Sequence, residues 1–229
     1  MSDLSSQPTP DKLGDKTLNV LCVHTNDVFQ AAHTCLDLLL VDKDGNEIGH
    51  PFLVLIIECT SSCIAGFHLG LRHPKSHEFA LALRHAILPK QYGPDYNLKH
   101  NWNCRGIPKY LIIDQAKDFD SLHLRRIATE LDFQILHRAY PSQGGLVESI
   151  FDKFNKEFLS HIPGYECSNV QKPSKDAQKY ACFTVEEFKK EIVKYIVNHY
   201  NWQIHPRRKD QTRLQRWEAN QILPPNVPE

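Results

Sequence analysis

The order in which strand-length apolar runs give way to helical ones constrains this chain more than any other feature. Cys35 to Val41, Phe52 to Ile57 and Cys63 to Leu71 are three short apolar runs in succession. Asp44-Gly45-Asn46 is a tight turn between the first two. In the third, Ile64, Gly66 and His68 alternate with Ala65, Phe67 and Leu69, the period of a strand. A meander of three antiparallel strands is predicted. After Pro74 the period changes: Phe79, Ala80, Leu83 and Ile87 recur at helical spacing until Pro89 stops them. Lys109 to Ile113 is then a short buried strand ending at Asp114. A helix from about Ser121 to Leu131, a strand at Phe133 to His137 and a loop through Gly144-Gly145 follow. Val147, Ile150, Phe151, Phe154 and Phe158 give one apolar face to a helix over Leu146 to His161, closed by Pro163-Gly164. A last helix is capped by Thr184 and carries Phe188, Ile192, Tyr195 and Ile196 on one side. The predicted class is α/β, with a mixed central sheet of three antiparallel strands, then two parallel ones, flanked by helices.

At 229 residues the chain has room for one substantial core with extensions. The expected division is a flexible leader over 1–17, a core over 18–165, and a linker, C-terminal helix and basic tail over 166–229. An apolar fraction of 41% is that of a globular protein. No apolar run is long enough to span a membrane, so no membrane partner is expected. The opening MSDLSSQPTPDK lacks a basic-then-apolar pattern, and seven cysteines without regular spacing suit reduced thiols, so a cytoplasmic location is expected. Lys+Arg and Asp+Glu balance at 27 each, so bulk charge does not point to nucleic acid. Locally, Arg207, Arg208, Lys209, Arg213 and Arg216 face only Asp210; that run is either a solvated tail or a polyanion contact.

Two carboxylates sit where phosphoryl-transfer chemistry would want them. Two-metal catalysis needs carboxylates converging from different elements onto a pair of divalent cations. Mg²⁺ is a hard cation served by a few oxygen ligands, so two or three Asp or Glu suffice. Asp114 follows a buried strand at the lip of a sheet, and Glu148 opens a helix after a Gly-Gly loop, one helix and one strand later. Singly, each has an ordinary explanation, a turn-forming Asp and a Glu at a helix N-terminus.

The chain resembles the catalytic core of the TnsB-type DDE transposases, relatives of the Mu transposase and the retroviral integrases. The matching segments are Asn26 to Gln30, His33 to Asp42, Ala80 to Lys90, Asp114 to Phe119, Pro141 to Glu148 and Pro163 to Tyr165, in family order. The element order above is likewise that of the RNase H-like fold of this family. The resemblance implies that Asp114 is the second catalytic Asp and Glu148 the catalytic Glu, both metal ligands. It implies Mg²⁺, or Mn²⁺ in its place, as cofactor, and DNA (transposon ends and target DNA) and other transposase subunits as partners, in a bacterial cytoplasm. Lys117, Arg138, Lys153 and Lys156 are the expected DNA contacts.

The departures are as informative. Where the family reads Trp-Gln-x-Asp-His-Thr, this chain reads Phe29-Gln30-Ala31-Ala32-His33-Thr34, so Ala32 stands at the first catalytic Asp. Asp-Gly-Gly-Lys becomes Asp114-Gln115-Ala116-Lys117, and Ile-Asp-x-Tyr-Ser-Arg becomes Ile57-Glu58-Cys59-Thr60-Ser61-Ser62. Neither Asp37, read as the same strand but the opposite face, nor His33 is expected to replace the missing ligand. Three readings result: a DNA-binding transposase core impaired by Ala32; an active Mg²⁺-dependent strand-transferase core carrying an Asp→Ala change; and an RNase H-like protein acting only through protein contacts. The accompanying drift favours the first.

Overall fold

The computed structural model describes residues 21–113, 121–138, 145–166 and 180–221. Its strands are β1 (Val28–Cys35), β2 (Leu40–Val41), β3 (Glu47–Gly49), β4 (Phe52–Glu58), β5 (Cys63–Gly70), β6 (Tyr110–Ile113) and β7 (Gln134–His137). Its helices are α1 (Ser76–Ile87), α2 (Leu122–Glu130), α3 (Gly145–Glu157), α4 (Val185–Asn198) and α5 (Arg213–Ala219). Five strands form one sheet in the order β5-β4-β1-β6-β7. β1, β4 and β5 pair antiparallel, whereas β6 and β7 join parallel to β1 and to each other. This is the RNase H-like arrangement, the predicted mixed sheet flanked by helices.

The first strand is not where the apolar run put it. β1 is Val28–Cys35, and the predicted strand at Cys35 to Val41 survives only as Leu40–Val41, paired with Glu47–Gly49 in a separate two-stranded ribbon. Leu36, Leu38, Leu39 and Leu40 are all buried without alternation, because the segment runs under residues near the end of the core: Leu38 bridges to Tyr165 and Leu39 N donates to Gly164 O. The Asp44-Gly45-Asn46 turn does form, with Gly45 at φ 83° and Asp42 Oδ1 accepting from Asn46 N at 2.8 Å. It closes the small ribbon and not the main meander.

Alternation along β1 divides its side chains between two faces. Phe29 and Ala31 enter the main core with Leu111 and Ile113 of β6, Leu83 and Ala86 of α1, and Leu124 and Ala128 of α2. Val28 joins Ile112 and Leu136 in a smaller cluster with Leu21, Cys22, Cys59 and Tyr110. α1 approaches β5 so closely that a Cβ on Gly66 would stand 2.5 Å from Ala86 N.

β5 carries one extra residue opposite the Ile56–Ile57 step of β4. The backbone of Ile64, displaced there, is satisfied from outside the sheet. Asn201 Oδ1 accepts from Ile64 N at 3.0 Å, and Asn201 Nδ2 and Trp102 Nε1 donate to Ile64 O. The residue that completes this edge strand therefore lies beyond α4.

Residues 180–221 pack into the same core. Phe158 stacks on Phe188 and on Tyr195, with ring centroids 6.1 and 4.8 Å apart. Arg213 is buried, with its guanidinium 4.3 Å from the Tyr200 ring centroid and Nη1 donating to Tyr200 O. Trp217 is buried too, and its carbonyl accepts from Thr25 Oγ1 at 2.6 Å just ahead of β1. Among the described residues no helix is long and apolar enough to cross a membrane.

Candidate functional site

The candidate site is built on the centre of the sheet. Ala32 lies on β1, opposite Leu55 of β4, and β1 pairs on its other edge with β6 through Gln30 and Ile112. Ala32 lies two residues beyond that pair on β1. Asp114 itself lies outside the described residues, as do Lys117 and Gln115-Ala116. Arg138 N donates to Ile113 O at 3.0 Å, so Arg138, one residue past the end of β7, is still tied to the last residue of β6. Its Nε is buried without a partner among the described residues.

Glu148 is exposed in the first turn of α3, which starts at Gly145. It lines a concave surface of about 440 Å³ with Ser149, Asp152, Lys153 and Lys156. Lys156 is exposed there. Lys153 is committed locally, its Nζ 3.0 Å from Glu157 Oε1. Burial would raise the Glu157 pKa, but Gln203 Nε2 at 2.7 Å and Lys153 outweigh it and hold the carboxylate below its usual range.

Ala32 presents a methyl group on this central strand, at the position expected for the first catalytic Asp. Its neighbours do not substitute. His33 points to the α1 side, its ring 5.8 Å from Phe79 and 5.2 Å from His73. Asp37 lies beyond the end of β1, so strand alternation does not govern it; its carbonyl accepts from Glu166 N. What spacing alone did not single out is Gln30, 1% exposed, with Oε1 unpartnered among the described residues. It sits two positions before Ala32, on the same face by alternation, and that alternation was the available signal.

Glu58 to Ser62, which depart from the family pattern, have a structural role in the turn between β4 and β5. Glu58 pairs with Phe29, toward the start of β1 and away from Ala32. It is fully buried, accepting from Thr60 N at 3.1 Å, from Ser61 N at 2.7 Å and from Ser61 Oγ. Burial raises its pKa against the pull of those bonds. Ser62 takes φ 59°, and Tyr200 Oη donates to its carbonyl. These residues form a packed, hydrogen-bonded turn.

A central β1 flanked by antiparallel β4 and parallel β6 defines an RNase H-like core. The chain belongs to the TnsB C-terminal domain family, whose model matches residues 30–164. It is 30% identical to the "Transposase for transposon Tn552" of Staphylococcus aureus over 89% of this chain and 39% of that protein. It is 28% identical to the "Transposon Tn7 transposition protein TnsB" of Escherichia coli over 76% of this chain and 26% of that protein. The chain thus spans well under half the length of the curated relatives it matches. Among solved structures, a chain of the simian T-cell lymphotropic virus intasome in complex with PP2A regulatory subunit B56 gamma matches with a TM-score of 0.51 at 17% identity, covering 90% of this chain and 59% of that one. That likeness supports the fold.

Proposed function

We propose that this protein is a DNA-binding transposase core of DNA transposition in which strand transfer is impaired. The observation that carries the reading is Ala32, a methyl group on the central strand at the first of three carboxylate positions. Asp114 and Glu148 remain, and their oxygens are the hard donors that Mg²⁺, or Mn²⁺, takes. Two carboxylates suit one such cation; the pair of cations that clamps attacking and leaving oxygens needs the third. A bound cation would polarise a phosphate oxygen, and Glu148 and Asp114 would hold it there. Arg138, Lys117, Lys153 and Lys156 would position the DNA backbone. Phosphate contacts do not depend on the metal site, so DNA affinity is expected to outlast catalysis. Because Glu58 to Ser62 are buried and hydrogen-bonded, a retired site is argued from Ala32 with Gln115 and Ala116 alone.

Ala32→Asp is the decisive variant. Mn²⁺ titration by calorimetry should show at most one site per chain in the protein as it stands and a second in Ala32→Asp. DNA joining assayed with Mg²⁺ on duplexes carrying the element's own ends should be absent before the change. Joining by the unaltered chain would overturn the reading. Binding of Mn²⁺ to the Glu148→Gln variant as strong as to the parent would overturn the assignment of Glu148.

A further inference from the structure

We propose that the loop 205–211 is a separate DNA-contact surface that grips the phosphates of a duplex without reading sequence. It presents Arg207, Arg208 and Lys209 side by side, all exposed, with Asp210 the only carboxylate from 205 to 216. Exposed cations on a floppy tail would be an ordinary solvated run. This loop is pinned. Ile204 bridges to Thr212 across its base, and His205 N donates to Gln211 O at 2.8 Å. His205 is 4% exposed, and its Nδ1 accepts from both Arg207 N at 3.1 Å and Arg208 N at 3.0 Å. One buried imidazole therefore fixes the backbone from which the cations project, so less conformational entropy is lost when they meet a ligand.

The charge extends below the loop. Arg213 and Arg216 follow on α5, and the Nε of each is buried without a partner among the described residues. The concentration of positive charge is felt by His205, whose pKa is held down by burial first and then by Arg216, Arg213 and Arg207. A regular array of monovalent negative groups, as on a nucleic-acid backbone, complements such a cluster better than a single carboxylate does.

The place of the loop makes it distinct. α5 is tied to the chain just before β1, through Thr25 Oγ1 to Trp217 O at 2.6 Å and Thr25 N to Asn220 O at 3.2 Å. That is the end of the sheet where β4 finishes at Glu58 and β6 begins at Tyr110. DNA held here is a further contact, beyond those expected of Lys153 and Lys156. The inference rests on the DNA-binding half of the proposed function and not on its catalytic half.

The test compares binding of a random-sequence duplex by fluorescence anisotropy between about 50 and 200 mM salt. Arg207→Ser, Arg208→Ser and Lys209→Ser are combined, against a charge-matched control combining Lys43→Ser, Lys75→Ser and Lys99→Ser. Removing one phosphate-neutralising cation lowers the slope of log affinity against log salt by about 0.9. The loop variant should therefore have a slope shallower by about two to three units and bind at least about tenfold more weakly at the low-salt end, while the control keeps the parent slope. A loop variant with the parent slope, or a control that falls as far, would overturn the inference and leave the DNA-binding reading standing. A parent protein that binds no duplex would overturn both.

Discussion

At the level of single residues, close approach matters as much as chemistry. Gly66 is set against the backbone of α1, where a Cβ would meet Ala86 N at 2.5 Å, Ala86 Cα at 2.7 Å and Ala82 O at 2.8 Å. These are main-chain atoms and cannot swing aside. Gly66→Ala should therefore destabilise by about 2–3 kcal/mol, at the upper end of overpacking costs, because helix and strand must separate. Chemical denaturation measures this, and a change within about 0.5 kcal/mol would show that α1 yields easily. The same scale holds the functional question. Ala32 and Glu58 are both departures from a family pattern, yet Ala32 lies within β1, opposite Leu55, whereas Glu58 keeps an acid's structural duty in a turn.

At the level of elements, the sheet depends on groups outside it. The extra residue in β5 leaves the Ile64 amide and carbonyl to Asn201 and Trp102. Asn201→Ala should leave the buried Ile64 N–H without its acceptor and cost about 1–3 kcal/mol. Asn201→Asp keeps that acceptor but sets a carboxylate oxygen against Ile64 O, so it should recover only part of the amide protection at Ile64 in hydrogen exchange. Equal exchange at Ile64 in the parent and Asn201→Ala would show that the side chain is dispensable. Helix and strand types were legible from periodicity for β4, β5, α1, α3 and α4. β1 was not, because Val28–Cys35 mixes Gln30, Ala32, His33 and Thr34 into a central strand. A strand that carries a functional site breaks the local pattern that would reveal it.

At the level of the whole molecule, a half-buried histidine and a buried one make the fold acid-sensitive. His85 Nδ1 accepts from Phe67 N at 3.0 Å, so its Nε2–H donates to Tyr92 Oη at 2.8 Å and the ring is neutral. Burial first, then Lys90, lowers its pKa from 6.5 to about 3. His205 is lowered from 6.5 to about 4, by burial and then Arg216. In both cases the unfolded chain takes up protons that the folded one refuses. Their contribution is fully present above 6.5 and is lost as pH falls, down to about 4 for His205 and about 3 for His85. Melting temperature should drop between pH 7 and 5. His85→Gln and His205→Asn, which keep the acceptors without titrating, should flatten that drop. An unchanged slope in both variants would remove the histidines as its cause.

The sequence by itself determined the class of sheet, most of its elements and the family, because periods of two and of about 3.6 residues and short motifs are local properties of the chain. By resemblance it also points to Asp114, Ala32 and Glu148 as one set. Only the tertiary structure decided that Ala32 belongs to a central strand between β4 and β6, that Glu58 to Ser62 lie away from it, and that residues 199–217 fold back onto Thr25, Asn26 and Ile64. Those facts depend on which strand pairs with which, and on single hydrogen bonds spanning more than a hundred residues. Neither leaves a periodic trace in sequence, since each is settled by the competition among distant surfaces for burial and for partners.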